Sequence, residues 1–197
     1  MEKREREVPA AEFVRACVNV EKFSACCRNC RGYSKTWSCP PFRFDPMDVW
    51  GNYGTLLLQM RMLTVPAELR EQVFSAEALG RAAAEFLRAE KEAMLLELLG
   101  LEKVFPGSMA LSAGSCQVCP EGTCARQTQE LCRNPNLMRY SIEALGGDVG
   151  RALKLYFDKQ LVWGRDGRMP EYYILLGGLL RKPNKPVQAK EMGYRVW

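Results

Sequence analysis

The local sequence patterns predict an α+β fold for this chain: a small mixed sheet covered by helices, with two cysteine-rich loops meeting at one end. Two patterns carry most of this prediction. In residues 54–64, leucines and methionines alternate with more mixed residues, which is typical of a strand. In residues 76–99, apolar residues recur along one stripe, which is typical of a helix that covers a sheet.

Shorter patterns supply the remaining elements. Gly100 marks the expected end of the long helix. The sequence Arg165-Asp166-Gly167 carries the Asp-Gly signal of a hairpin turn. We expect the polar tail from Arg181 to be extended, and residues 1–197 to form a single metal-binding domain. The other predictions are a helix in 9–23, loop structure over most of 24–53, a strand at 108–112, a helix near 147–158, and strands at 161–164 and 172–179.

Length and composition restrict the class of protein. The chain has 197 residues, of which 47% are hydrophobic, and this suffices for one domain with a core. A charged N-terminus and the lack of an apolar run of about 20 residues predict a cytoplasmic protein without a secretory signal or membrane span. The net charge of +5 is modest, so nucleic-acid binding is not indicated.

The sequence has nine cysteines and no histidine. The absence of histidine excludes Cys₂His₂ zinc fingers, Rieske centres, histidine-ligated haem and every catalytic triad that uses histidine. Thiols stay reduced in a cytoplasm, so metal ligation explains the cysteines better than disulfides do. Five cysteines lie between Cys17 and Cys39 and four between Cys116 and Cys132, whereas cysteines used as core residues would be scattered.

The second cysteine group has the spacing Cys116-x₂-Cys119-x₄-Cys124-x₇-Cys132. Four thiolates in one loop form a complete ligand set for a [4Fe–4S] cluster, in which each iron binds one thiolate. Gly114 and other small residues nearby let backbone N–H groups approach a cluster. A Cys₄ zinc site is the alternative, but zinc commonly uses two tight C-x-x-C knuckles, and this group has only one.

The first cysteine group reads Cys26-Cys27-x₂-Cys30-x₈-Cys39, followed by two prolines. We predict Cys27, Cys30 and Cys39 as ligands. A fourth ligand could come from Cys26 or Cys17, although adjacent cysteines rarely bind one metal well and Cys17 could equally be a buried core residue. Without a fourth thiolate, one iron would be open to a small molecule, which would favour catalysis.

Three main functions remain open at this point, with metal or cluster delivery to another protein as a fourth option. The favoured prediction is an iron–sulfur protein with one or two [4Fe–4S] clusters that serves in electron transfer or as a redox accessory, with a redox partner protein. The second is a zinc protein, in which the two C-x-x-C pairs could also form one shared site, acting as a structural or interaction module. The third is an enzyme that uses an open iron at the first group; the catalytic residues are not identified. A redox dithiol is disfavoured because no thioredoxin-like pattern surrounds either pair.

The segment from Cys27 to Pro41 resembles the C-x-x-C-x-x-Y-x₃-W-x-C-P-P signature of an uncharacterised family of predicted metal-binding proteins found mainly in anaerobic bacteria and archaea. The segments Ser112–Cys119 and Cys132–Val149 are similar to its second motif. The resemblance covers about residues 20–180. It implies that the metal-binding and cofactor-binding residues are Cys27, Cys30, Cys39, Cys116, Cys119, Cys124 and Cys132, and it leaves Cys17 and Cys26 outside the motifs.

Polar residues follow the second cysteine group. Arg133, Arg139, Ser141 and Glu143 could surround the metal or bind a small anion. The alternative, which we favour, is that they stabilise the chain locally, with Ser141 capping a short helix. Asp148 is similarly placed to cap the helix that follows it.

Overall fold

The computed structural model describes residues 1–183, which form a four-stranded sheet, six α-helices and one 3₁₀ helix. The predicted tail from Arg181 therefore lies largely outside the described residues. The strands are β1 (Glu2–Pro9), β2 (Thr55–Thr64), β3 (Met109–Leu111) and β4 (Tyr172–Arg181). The helices are α1 (Ala10–Cys17), α2 (Val20–Arg28), α3 (Pro46–Gly51), α4 (Ala67–Glu71), α5 (Ala76–Val104) and α6 (Val149–Phe157), with the 3₁₀ helix at Ala125–Thr128.

The sheet has the order β1-β2-β4-β3, and all of its neighbouring strands pair antiparallel. The α+β class is thus confirmed, with an antiparallel sheet in place of the mixed one that the sequence suggested. The two long strands β2 and β4 form the centre, where Leu58 lies opposite Gly178. Such a sheet can bury both faces if each is covered by helices.

Alternating residues of β2 and β4 separate two hydrophobic cores. Leu56, Leu58 and Met60 point to the larger core, which includes residues of α1, α3 and α6. The other face packs against α5, whose Met94 and Leu98 contact the apolar residues of β4. The sheet is therefore the middle layer between α5 and the smaller helices, as the period-2 pattern of β2 and the stripe of α5 require.

A buried ion pair also joins the sheet to α5. Arg61 of β2 is only 2% exposed, and its guanidinium contacts Glu90 and Glu97 of α5, the latter at 2.5 Å. A guanidinium that has lost its water needs such partners, since an unpaired buried charge is strongly unfavourable. This pair fixes the rotation of α5 on the sheet.

The N-terminal region differs from the sequence prediction. Residues Glu2–Pro9 form an edge strand in which most residues are charged. The strand lacks the alternating apolar pattern by which strands are predicted from sequence. The single helix predicted for 9–23 is two helices, because Val18 is extended and the Asn19 side chain caps α2 by accepting from the Lys22 amide at 2.9 Å. Residues 24–53, predicted as mostly loop, also contain the end of α2 and all of α3.

Two further predictions were wrong. Gly100 does not end the long helix, which continues to Val104. Residues 161–164 form no strand; the Arg165-Asp166-Gly167 turn exists, closed by the Arg168 amide donating to the Arg165 carbonyl at 2.9 Å, but it joins no pair of long strands. The remaining predicted strands and the helix near 147–158 are present, with Asp148 capping α6 through the Arg151 amide at 2.8 Å.

Replacing Gly177 or Gly100 with alanine should change the free energy of unfolding in opposite directions. A Cβ at Gly177 would lie 2.9 Å from the Leu111 carbonyl oxygen and 3.0 Å from Met94 Sδ, so Gly177→Ala should force α5 off the sheet and lower the free energy of unfolding by about 1–3 kcal/mol. A Cβ at Gly100 meets nothing within 4 Å, so Gly100→Ala should raise it by about 0.5–1 kcal/mol. Urea denaturation of both variants would measure the difference, and equal effects would contradict this packing.

Candidate metal centre

The four cysteines of the second group line one cleft of about 960 Å³. Gly32, Thr36 and Trp37, which belong to the first cysteine loop, form another part of the wall, and the N-terminal half of α5 completes it. The volume is at the upper end of the range for small-molecule sites. The cleft therefore has room for a metal group bound by the cysteines and for a further small ligand.

The loop that carries the second group is shaped by local turns. Gly114 and Gly122 have φ of +74° and +77°, a conformation that favours glycine, and they flank Cys116 and Cys119. The side-chain amide of Asn134 donates to Cys119 Sγ at 3.4 Å. A donor at this position stabilises a thiolate, because it places positive charge next to the sulfur.

The four cysteines of the second group line the same cleft, so their charges act on one another. Burial is the main cause that raises the pKa of Cys116, and the charges of Cys119, Cys132 and Cys124 raise it further, whereas the Val118 amide lowers it. Four thiolates in this loop would therefore repel one another. A bound cationic metal would remove that repulsion, so metal binding and loss of the thiol protons are coupled.

The first group is formed by the end of α2 and the loop after it. Cys27 is half-buried, Cys30 is exposed and Cys39 is buried. Burial raises the pKa of Cys27 to about 11, and smaller contributions come from Cys30, Cys39, Glu143 and Cys26, in that order. In the backbone, the Cys30 amide donates to the Cys27 carbonyl at 2.9 Å.

The two cysteine loops contact each other through three side chains. Ser38, which precedes Cys39, accepts a hydrogen bond from the Cys116 amide at 2.9 Å. The Trp37 indole donates to the Glu130 carbonyl at 3.0 Å. Arg126, which follows Cys124, donates to the first loop and also lies over the Trp37 ring, 5.3 Å from its centroid.

Arg126 makes the most extensive of these contacts. Its guanidinium donates to the carbonyl oxygens of Thr36 at 2.7 Å and Pro41 at 2.6 Å, and to that of Cys39. Hydrogen bonds from a charged donor are worth more than those between neutral groups. Arg126 thus fixes the loop around Cys39 from the other cysteine group.

An ion pair with α5 holds the end of the second cysteine loop. Arg139 forms a two-point contact with Glu102 of α5, with N–O distances of 2.7 and 2.5 Å, and Glu102 also accepts from the Ala110 amide. Burial acts to raise the pKa of Glu102, but these donors outweigh it and hold the pKa below its usual range. Arg139 is therefore committed to a structural contact, and so is Ser141, whose hydroxyl caps the turn by accepting from the Ala144 amide at 3.1 Å.

The other predicted residues lie as follows. Cys17 is 3% exposed within the larger core, and burial raises its pKa to about 11. Cys26 is exposed at the end of α2. Arg133 contacts the Thr123 carbonyl at 3.3 Å and is otherwise exposed near Glu130. Within residues 1–183, no three cysteine or carboxylate side chains converge closely enough to hold a single ion, so the seven-cysteine ligand assignment stays a prediction.

Sequence reasoning missed Arg126, Ser38 and Glu102. Each acts through a contact with a residue far away in the chain, and local sequence patterns do not predict such contacts. It also missed Lys91 of α5, which lies near Gly114 and whose pKa is lowered by burial. The one available signal was the placing of Arg126 and Ser38 beside cysteines.

Comparison with known families supports the metal-binding character of this site. Residues 14–176 match the family described as "Predicted metal-binding protein (DUF2284)". The chain belongs to this family. The match contains all seven predicted ligands. No curated protein and no solved structure gave a significant match to the chain.

None of the helices in residues 1–183 combines the length with the apolar character that crossing a bilayer requires. The longest, α5, carries charged residues throughout its 29 residues.

Replacing Arg126 tests the contact between the loops. Arg126→Ala would leave three carbonyl oxygens without their charged donor, so we expect the free energy of unfolding to fall by about 1.5–3 kcal/mol. The matched control is Arg133→Ala, an exposed arginine in the same loop, which should change it by less than about 0.5 kcal/mol. Urea denaturation of the metal-free proteins is the measurement, and similar effects of the two substitutions would contradict the role of Arg126.

Proposed function

We propose that this protein binds two [4Fe–4S] clusters, one at each cysteine group, and acts in electron transfer or as a redox accessory to a partner protein. The donors available at both groups are thiols, and soft thiolates select iron–sulfur clusters, zinc and copper(I) among the common metals. The second group supplies four sulfurs around one cleft, which matches a cluster that binds one thiolate at each of four irons. When bound, such clusters take up and release single electrons.

One observation carries the electron-transfer proposal: a single serine joins the two groups. Ser38 is 1% exposed; its hydroxyl accepts from the amide of Cys116 at 2.9 Å and lies 3.8 Å from Cys39 Sγ. A proposed ligand of one group is thus joined to a proposed ligand of the other by a side chain and one hydrogen bond. Two redox groups held so close can exchange electrons within the protein, and the exposed Cys30 gives a partner access to the first.

An enzyme is the second candidate, and the cleft favours it. The cleft borders the second cysteine group, and Arg31 and Lys35 line it without an ion pair to any of residues 1–183. A small anion could therefore reach the cysteines. In this arrangement the substrate would lie beside the second group, whereas the sequence placed the open iron at the first.

Metal and sulfide analysis of anaerobically purified protein tests the clusters. We expect brown protein with about eight iron and eight sulfide per chain. Cys132→Ala should lose the second cluster and retain about half of both elements, whereas Cys26→Ala should retain all of them. Colourless protein with zinc and no sulfide would instead support a structural zinc module, and full retention in Cys132→Ala would remove Cys132 from the ligands.

Substitution of Ser38 and of Asn134 tests how groups near the cysteine sulfurs affect the reduction potentials of the two clusters. Ser38→Ala removes a hydroxyl near Cys39, and Asn134→Ala removes a donor to Cys119. Because donors to sulfur stabilise the reduced, more negative cluster, each substitution should make one reduction potential more negative, on the order of tens of millivolts. Redox titration followed by electron paramagnetic resonance should show different clusters shifting in the two variants. A shift of the same cluster in both variants would contradict the placing of Ser38 at the first group and Asn134 at the second.

A further inference from the structure

The segment that carries the first cysteine group has positive charges only. Residues 23–44 contain Arg28, Arg31, Lys35 and Arg43 but no acidic residue. All four are exposed, and none forms an ion pair within the part of the chain that the structure describes. Protein surfaces usually intersperse both signs of charge, so an unpaired surface of one sign indicates an interaction with something of the opposite sign.

Tight turns hold three of these basic residues close to Cys30. The hydrogen bond from the Cys30 amide to the Cys27 carbonyl closes the first turn after α2, and Arg28 lies inside this turn. Arg31 follows it directly, and two further turns with the same i to i+3 hydrogen bond lead to Lys35. Cys30 is itself exposed, so the three cations lie in a compact segment around an accessible cysteine.

The guanidinium of Arg31 also reaches α5. A Cβ at Gly80 would lie 3.7 Å from one terminal nitrogen of Arg31 and 4.0 Å from the other, so the guanidinium lies against the helix where glycine leaves space. Arg31 and Lys35 line the cleft together with Arg81 and Arg88 of α5. Each of the two helix arginines pairs with a glutamate of α5. The unpaired cations of this cleft wall therefore belong to the first cysteine loop.

The size and position of this charged surface favour a protein as its occupant. Nucleic-acid binding commonly uses about 6–10 phosphate contacts, which is more than three cations provide, and the net charge of the chain is only +5. Arginine is enriched in protein–protein interfaces. The surface surrounds the exposed cysteine at which a redox partner would reach the first group. Charges around such a point attract and orient a partner of opposite charge before it binds.

We propose that Arg28, Arg31 and Lys35 form a basic patch that docks an acidic face of the redox partner protein. This inference rests on the proposed function, because it takes the partner to be a redox protein that approaches the first cysteine group. The partner would present aspartates and glutamates to the basic patch. Because these charges are exposed, salt screens their attraction, and the association rate should fall as the salt concentration rises.

The test measures association of the anaerobically purified protein with an immobilised acidic plant-type [2Fe–2S] ferredoxin as the probe. Wild type should associate at least about tenfold faster at low than at high salt. At low salt, Arg31→Glu/Lys35→Glu should lower the association rate constant at least about tenfold. The matched control is Arg6→Glu/Lys103→Glu, which makes the same change of net charge at exposed residues of β1 and of the last turn of α5. It should change the rate constant by less than about twofold.

Two further variants separate docking from damage to the cysteine loop. Arg31→Lys/Lys35→Arg keeps both charges, so it should associate within about twofold of wild type. Lys35→Glu alone changes a residue four positions from the nearest predicted ligand, so it should retain the iron and sulfide of wild type and still associate at least about threefold more slowly. Slow association of the charge-conserving variant would show a structural role for these side chains and overturn the docking surface.

The remaining outcomes distinguish the two proposals. Wild-type protein without iron and sulfide would overturn the proposed function and, with it, a redox protein as the partner. If both elements are present, no binding of the ferredoxin at low salt, or equal association of wild type and Arg31→Glu/Lys35→Glu, would overturn the docking surface alone. Micromolar binding of inorganic phosphate or of duplex DNA that the same variant abolishes would assign the basic patch to a small anion or to nucleic acid, and would also overturn it.

Discussion

The arrangement of the candidate metal centre depends on one guanidinium group. Arg126 belongs to the second cysteine loop, yet its hydrogen bonds go to three carbonyl oxygens of the first. Within its own loop the Thr36 carbonyl also accepts from the Cys39 amide at 3.1 Å, but the loop between Cys30 and Cys39 has little regular structure to hold it. The position of Cys39 is therefore set by a residue next to Cys124, so the two groups behave as one structural unit.

The sheet and α5 serve as the rigid support for this unit. The buried contacts of Arg61 fix α5 on one face of the sheet, and the C-terminal part of α5 then holds Arg139 through Glu102. The cysteines themselves lie on loops and helix ends, where backbone geometry can adapt to a metal. This division between a packed scaffold and irregular site loops is common, because loops tolerate the special conformations that sites need.

The sequence was sufficient to predict those elements in which buried apolar residues recur at regular intervals. β2 and α5 were predicted because one face of each is apolar, and the α+β class followed from their order. Charged strand β1 could not be found this way, since an edge strand is held by pairing with β2 and not by an apolar face of its own. The prediction that Gly100 ends the long helix was wrong because this glycine is exposed on α5, which tertiary packing extends beyond it. At the site, the two cysteine groups were evident from spacing, but their contact depends on Arg126 and Ser38, whose partners lie far away in sequence.

The separation of Arg126 from the loop that it holds has a consequence for synthesis of the chain. Ninety positions separate Arg126 from Thr36. At about 5–20 residues per second, a ribosome needs roughly 5–18 s to add them. During this interval the first cysteines have left the ribosome, or are leaving it, without the residue that shapes their loop. Their thiols are then open to oxidation until Arg126 has been added to the chain.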